Sequence, residues 1–241
     1  MSTKQLQTAA SELFRAVGIG VVFGLMLMVS YLAFEPLLGQ AIEDEFTVTQ
    51  EITGEIAFST PANDVTMSPA LASVTGGTST GVSQVVVTTN SATGYTMEIR
   101  FATGTNDAAV MEDGSGNVIP NYPATSTPEH DFSAPANSAA FGYAVKASST
   151  TDVVQLFRDN GAGVCNSGTD NTDFVCFLAP TTTDRQIINR NTAPPSSGAT
   201  TSIQFQVVVS PNPSPLIPTG FYTATATLTA LTQYSSSHTV M

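Results

Sequence analysis

The chain has no tryptophan, two histidines, two cysteines and seven basic residues in 241, and only 11% of its residues are charged. Each shortage removes a class of function. Without Trp there is no indole platform for stacking sugars, which leaves that task to Tyr and Phe. Seven Lys and Arg against nineteen Asp and Glu set the net charge at −12. Such a surface repels phosphate backbones, and no basic stripe with interleaved aromatics interrupts it, so nucleic acid is excluded as a partner. His130 sits in a proline-rich loop beside Glu129 and Asp131 and reads as exposed, while His238 lies near the C-terminus. Neither offers the imidazole held by packing that a Ser-His-Asp constellation needs. Gly-x-Ser-x-Gly, Gly-Lys-Ser and His-Glu-x-x-His motifs are all missing. Acidic pairs for glycoside hydrolysis are too numerous to single one out. No catalytic residue is assigned, and the chain is read as a non-enzyme.

Helical periodicity is also missing after residue 42. The abundant polar residues are Ser, Thr and Asn, which suit pleated surfaces and turns. The branched Cβ of Thr further favours strand over helix. With the first 41 residues set aside, about 200 remain, enough to bury a substantial core.

One long hydrophobic run is present. Val17 to Phe34 is apolar and uncharged, and Glu35 and Pro36 end it. Its length fits a short transmembrane anchor or a long signal-peptide core. Gly39-Gln40-Ala41 places small residues at −3 and −1 of a cleavage after Ala41, so a cleaved signal and a retained anchor through residues 17–34 both stand. Lys4 and Arg15 precede the run and acidic residues follow it, which puts the C-terminal part outside. Residues 1–41 are therefore read as signal or anchor, 42–234 as a β-sandwich domain and 235–241 as a disordered tail.

A dozen residues after the run, the sequence alternates. Phe46, Val48, Ile52, Ile56 and Phe58 fall on one face, and Thr47, Thr49, Glu51, Thr53 and Glu55 on the other. Side chains of a strand point alternately to opposite faces, so one strand of about 40 Å is expected from Phe46 to Phe58. Val82–Thr89, the turn at Asn90–Gly94, and Tyr95, Met97, Ile99 and Phe101 read as a hairpin. A second hairpin is centred on Asp113–Asn117. Further strands are expected around Phe141–Val145, Ile203–Val209 and Phe221–Leu231. Many short strands without a βαβ rhythm predict an all-β protein, an antiparallel β-sandwich of immunoglobulin-like or jelly-roll-like form behind one N-terminal hydrophobic helix.

Cys165 and Cys176 flank ten residues rich in Asn, Gly, Ser and Asp. In an exported chain this spacing predicts a disulfide around a surface loop. No other cofactor is implied. Calcium is kept as an alternative where oxygens cluster, at Asp113-x-Ser115-x-Asn117 and at Asp170–Asp173. The first of these lacks the Gly and terminal Glu of an EF-hand and reads first as a tight turn.

The order of motifs adds a resemblance. Phe46-Thr47-Val48-Thr49-Gln50, Thr60-Pro61-Ala62-Asn63-Asp64-Val65-Thr66-Met67 and Thr75-Gly76-Gly77 open the pattern. Thr89-Asn90-Ser91-Ala92-Thr93-Gly94-Tyr95, Phe141-Gly142-Tyr143, Asn160-Gly161 and Tyr222-Thr223-Ala224-Thr225-Ala226-Thr227 continue it. Over residues 45–232 this resembles a family of uncharacterised cell-surface β-sandwich proteins of small-genome bacteria. The resemblance implies a fold and a location, and no site residue. The N-terminus lacks the Gly-Phe-Thr-Leu-x-Glu start of a type IV prepilin, which argues against assembly of that kind.

From these readings we expect an extracellular, cell-surface structural protein, a self-assembling filament or coat subunit. Its expected partners are copies of itself or other surface components, with Phe46, Val48, Ile52, Ile56 and Phe58 as a candidate donated strand. The same strand would serve its own sandwich if it is not donated. An adhesin or glycan-binding module is the alternative.

Overall fold

The structure is a computed structural model and describes residues 3–33, 44–104, 109–124 and 126–233. The cleavage position after Ala41 and the tail 235–241 lie outside the described residues.

An α-helix, α1 (Thr3–Ala33), carries the apolar run, and Ala10–Leu32 within it is long and apolar enough to cross a membrane. A helix bonds all its own backbone groups, as a lipid surrounding requires. Its described side chains from Leu13 to Leu32 are exposed. Residues 1–51 and 52–241 form two separate compact units.

The second unit is all-β, with eleven strands among the described residues: β1 (Ile56–Thr60), β2 (Gly77–Thr89), β3 (Tyr95–Phe101), β4 (Met111–Glu112), β5 (Val118–Ile119), β6 (Glu129–His130), β7 (Ala139–Ala147), β8 (Cys176–Phe177), β9 (Arg185–Arg190), β10 (Ala199–Val209) and β11 (Ala226–Thr232). Two sheets form an antiparallel sandwich, one ordered β1-β2-β10-β7 and the other β11-β3-β9. The pair β2–β10 runs from Ala199 opposite Val87 to Val209 opposite Gly77.

Alternation decides what is buried. Val85 and Val87 of β2, Phe141, Tyr143 and Val145 of β7, and Ile203, Val207 and Val209 of β10 meet Tyr95, Met97, Ile99 and Phe101 of β3 in one core. The Phe101 ring packs against Phe141, Tyr143 and Phe205 at centroid distances of 6.2, 5.4 and 6.3 Å, joining the sheets face to face.

The structure corrects the expected hairpin at Val82–Phe101. β2 and β3 are not paired, because the turn at residues 90–94 carries the chain from one sheet to the other. Each strand has one strongly apolar face, and the two faces meet across the core rather than lying side by side. Gly94 allows the crossing. Its φ is +79°, and an added Cβ would sit 2.1 Å from the Arg190 carbonyl oxygen.

β7 is buried on both faces. Ala140 and Ala144 leave its outer face shallow, and Tyr122, Ala124 and Phe177 pack there as a second cluster. Gly142 lies between them, and a Cβ on it would meet Phe132 Cε2 at 2.5 Å. This covering layer closes the β7 edge: Tyr122 N–H donates to Phe141 O and Leu178 N–H to Tyr143 O, at 2.7 and 2.9 Å.

Candidate functional site

Three places drew attention in the sequence: the disulfide loop with its histidine, the acidic turns, and the strand that follows the helix.

Cys165 and Cys176 are bonded, as their spacing predicted. Cys176 belongs to β8, which pairs with β6 and so places His130 opposite it. His130 is therefore not simply an exposed loop residue. Its Nδ1 lies 3.0 Å from Asp131 Oδ2 and its Nε2 3.9 Å from the largely buried Asp159. Backbone pairing of Asp159 with Asp170 closes the loop, and Asn171 anchors it. The buried Asn171 side chain donates to Val145 O and Phe157 O at 2.9 and 2.7 Å and accepts from Ala147 N–H at 3.2 Å. The sequence reading missed this role, because an Asn among Asp and Thr has the signature of a surface turn.

The acidic turns hold their own backbone. Asp113 accepts from Ser115 N–H, Asn117 N–H and Asn117 Nδ2, which lowers its carboxyl pKa below the ordinary value, the Asn117 side chain contributing most. Asp170 accepts from Thr172, whose side chain and backbone lower its pKa likewise. Among the described residues, no group of three or more His, Cys, Asp and Glu is placed to hold a metal ion.

The strand after the helix is where structure and sequence diverge most. Regular strand begins only at Ile56, not Phe46, and residues 44–55 have no ladder partner among the described residues. β2 ends at Thr89, opposite Ile56, and just past it the Asn90 N–H still donates to Glu55 O at 3.3 Å. Asn90 caps the junction: Glu55 N–H donates to Asn90 Oδ1 at 2.7 Å, and Asn90 Nδ2 to Thr53 O at 2.9 Å. Of the five candidate donor residues, Ile56 and Phe58 pack against the core of their own sandwich. Phe46, Val48 and Ile52 stand 84%, 82% and 83% exposed.

These features define an all-β protein, an antiparallel β-sandwich behind a single apolar N-terminal helix, and helix and disulfide together point to a secreted or membrane-anchored chain. Set against family models, curated proteins and solved structures, the chain matches none.

Proposed function

We propose that this protein is a structural subunit of the cell exterior that assembles with copies of itself through the segment Phe46–Ile52. The observation that carries the reading is the exposure of Phe46, Val48 and Ile52 on a segment that alternates like a strand and has no partner strand among the described residues. Burying a large apolar side chain contributes about 1.5–3 kcal/mol, so three left in water amount to an unfilled association energy. Backbone pairing to an open sheet edge, with alternate side chains seated on the core side, would fill it. A donor segment and an acceptor edge on different parts of one chain make a head-to-tail contact, which extends into filaments unless its rotation closes a ring.

Negative-stain electron microscopy of the detergent-solubilised full chain, with its disulfide intact and at rising concentration, tests this. Filaments or ordered sheets are expected, and deletion of Phe46–Gln50 should abolish them while leaving the far-ultraviolet β signal unchanged. Dispersed single particles at every concentration, or polymers from the deleted chain, refute donation. Dispersed particles that bind on a glycan array would instead identify an adhesin.

A further inference from the structure

The two sheets end in edges that the molecule treats differently. β7 is covered by residues 120–122 and by Leu178, and β9 receives the Val154 N–H at Ile187 O, 3.1 Å away. β1 is short and bulged, its register shifting between Phe58 and Thr60. Bulges of this kind blunt an edge. β11 has no bulge and, among the described residues, no backbone cover of this kind, although β1 of the other sheet runs close to it.

Its geometry fixes which groups are free. Ala102 N–H donates to Thr225 O at 2.8 Å and Gln233 N–H to Gly94 O at 3.0 Å, so the odd-numbered residues of β11 bond to β3. The even-numbered residues Ala226, Leu228, Ala230 and Thr232 point their N–H and C=O groups away from the sheet. Among the described residues, no backbone group pairs with them. The strand reads Ala-Thr-Leu-Thr-Ala-Leu-Thr, with neither charge nor proline. An edge without charge, proline or bulge is a template for another strand. Leu231 on its outer face is exposed, as is Phe221 just before it.

We infer that the outer edge of β11 is the acceptor for residues 46–52 of a second copy. This rests on the assembly reading above and supplies its receiving site. Both stretches are seven residues long. Laid antiparallel with Thr49 opposite Thr229, every residue of one pairs with a residue of the other. Phe46, Val48, Gln50 and Ile52 then join Leu228 and Ala230, which pack against the core, with Gln50 opposite Leu228, while Thr47 and Thr49 join the outer row of Thr229 and Leu231. Charge selects this direction. Antiparallel pairing puts Glu51 beside Thr227, whose partner across the sheet is Arg100, an exposed cation that also meets Asp184 at 3.7 Å. Parallel pairing would put Glu51 beside Leu231 and away from that cation.

Full-length chains carrying single substitutions test the contact, since the two native cysteines are already paired. Copies with Thr49→Cys are mixed with copies bearing Thr227→Cys, Thr229→Cys, Leu231→Cys or, as control, Val82→Cys on β2. They are then oxidised and run without reductant. A mixed dimer with Thr229→Cys is expected, because odd residues form the closely spaced, non-hydrogen-bonded pairs of the new ladder. A dimer through Thr227→Cys or Leu231→Cys instead keeps the edge and moves the register by two. Ala230→Pro provides a second arm. It removes an outward N–H without touching the bonds to β3, as edge strands tolerate, and should abolish polymer while the sheet signal persists. Polymers that form without any β11 cross-link, or that survive Ala230→Pro, overturn this acceptor and leave the assembly reading standing. Absence of polymer from the unsubstituted chain overturns the assembly reading itself.

Discussion

Asn171 illustrates what one side chain can hold. Its amide replaces a missing strand partner for Val145, Ala147 and Phe157, so truncation leaves two carbonyls and one N–H unpaired in the interior. Asn171→Ala should cost about 3 kcal/mol or more, by the penalty for buried unpaired polar groups. The midpoint of urea unfolding should fall with the slope unchanged. At this scale the apolar residues were legible: Tyr95, Met97, Ile99 and Phe101 are all buried, as their alternation requires. Buried polar residues were not, since hydrogen-bond partners 14 and 26 positions away leave no periodic trace.

Among the elements, legibility followed regularity. β10 and β7 were readable because their apolar positions alternate without interruption. β9 was not, and its register shows why. Met97 pairs with Ile188 but Glu98 with Gln186, so Ile187 is the extra residue of a bulge. The bulge turns two successive isoleucines inward, and both are fully buried. A period-two search cannot find such a strand. The disulfide is likewise an element-scale device, linking positions 11 apart. Replacing both cysteines by Ser should remove roughly 2–3 kcal/mol on the loop-entropy account. Calorimetry should show a melting temperature lower by roughly 5–10 °C, with the sandwich still folding. Failure to fold would mean that the loop organises the whole domain rather than itself.

For the molecule as a whole, the tyrosines set an alkaline limit. Burial, reinforced by Asp152, pushes the Tyr95 phenol up to about 12. Burial also raises Tyr143, and burial together with Glu129 raises Tyr122. A raised folded-state pKa stabilises fully below the unfolded value near 10 and is lost as pH climbs towards the folded value. Each such phenol therefore withdraws about 1.4 kcal/mol per pH unit above pH 10. Absorbance at 295 nm followed alongside circular dichroism should show these phenolates appearing only as the β signal is lost. Full ionisation near pH 10 with the sheets intact would contradict their burial.

By itself the sequence determined the apolar N-terminal helix, the β class, the cysteine pairing and the core faces of the regular strands. Each is a local property, set by composition, by spacing or by the two-residue period of the backbone. Tertiary structure alone decided that β2 and β3 part into different sheets, that Ile187 bulges, and that regular strand begins only at Ile56. Those outcomes depend on where distant strands end, since a ladder extends only as far as its neighbour's backbone. Thr89 ends one such rail and leaves Phe46, Val48 and Ile52 in water. The open edge of β11 follows from the same physics, because hydrogen-bonding groups without a neighbour are visible only once the neighbours have been placed.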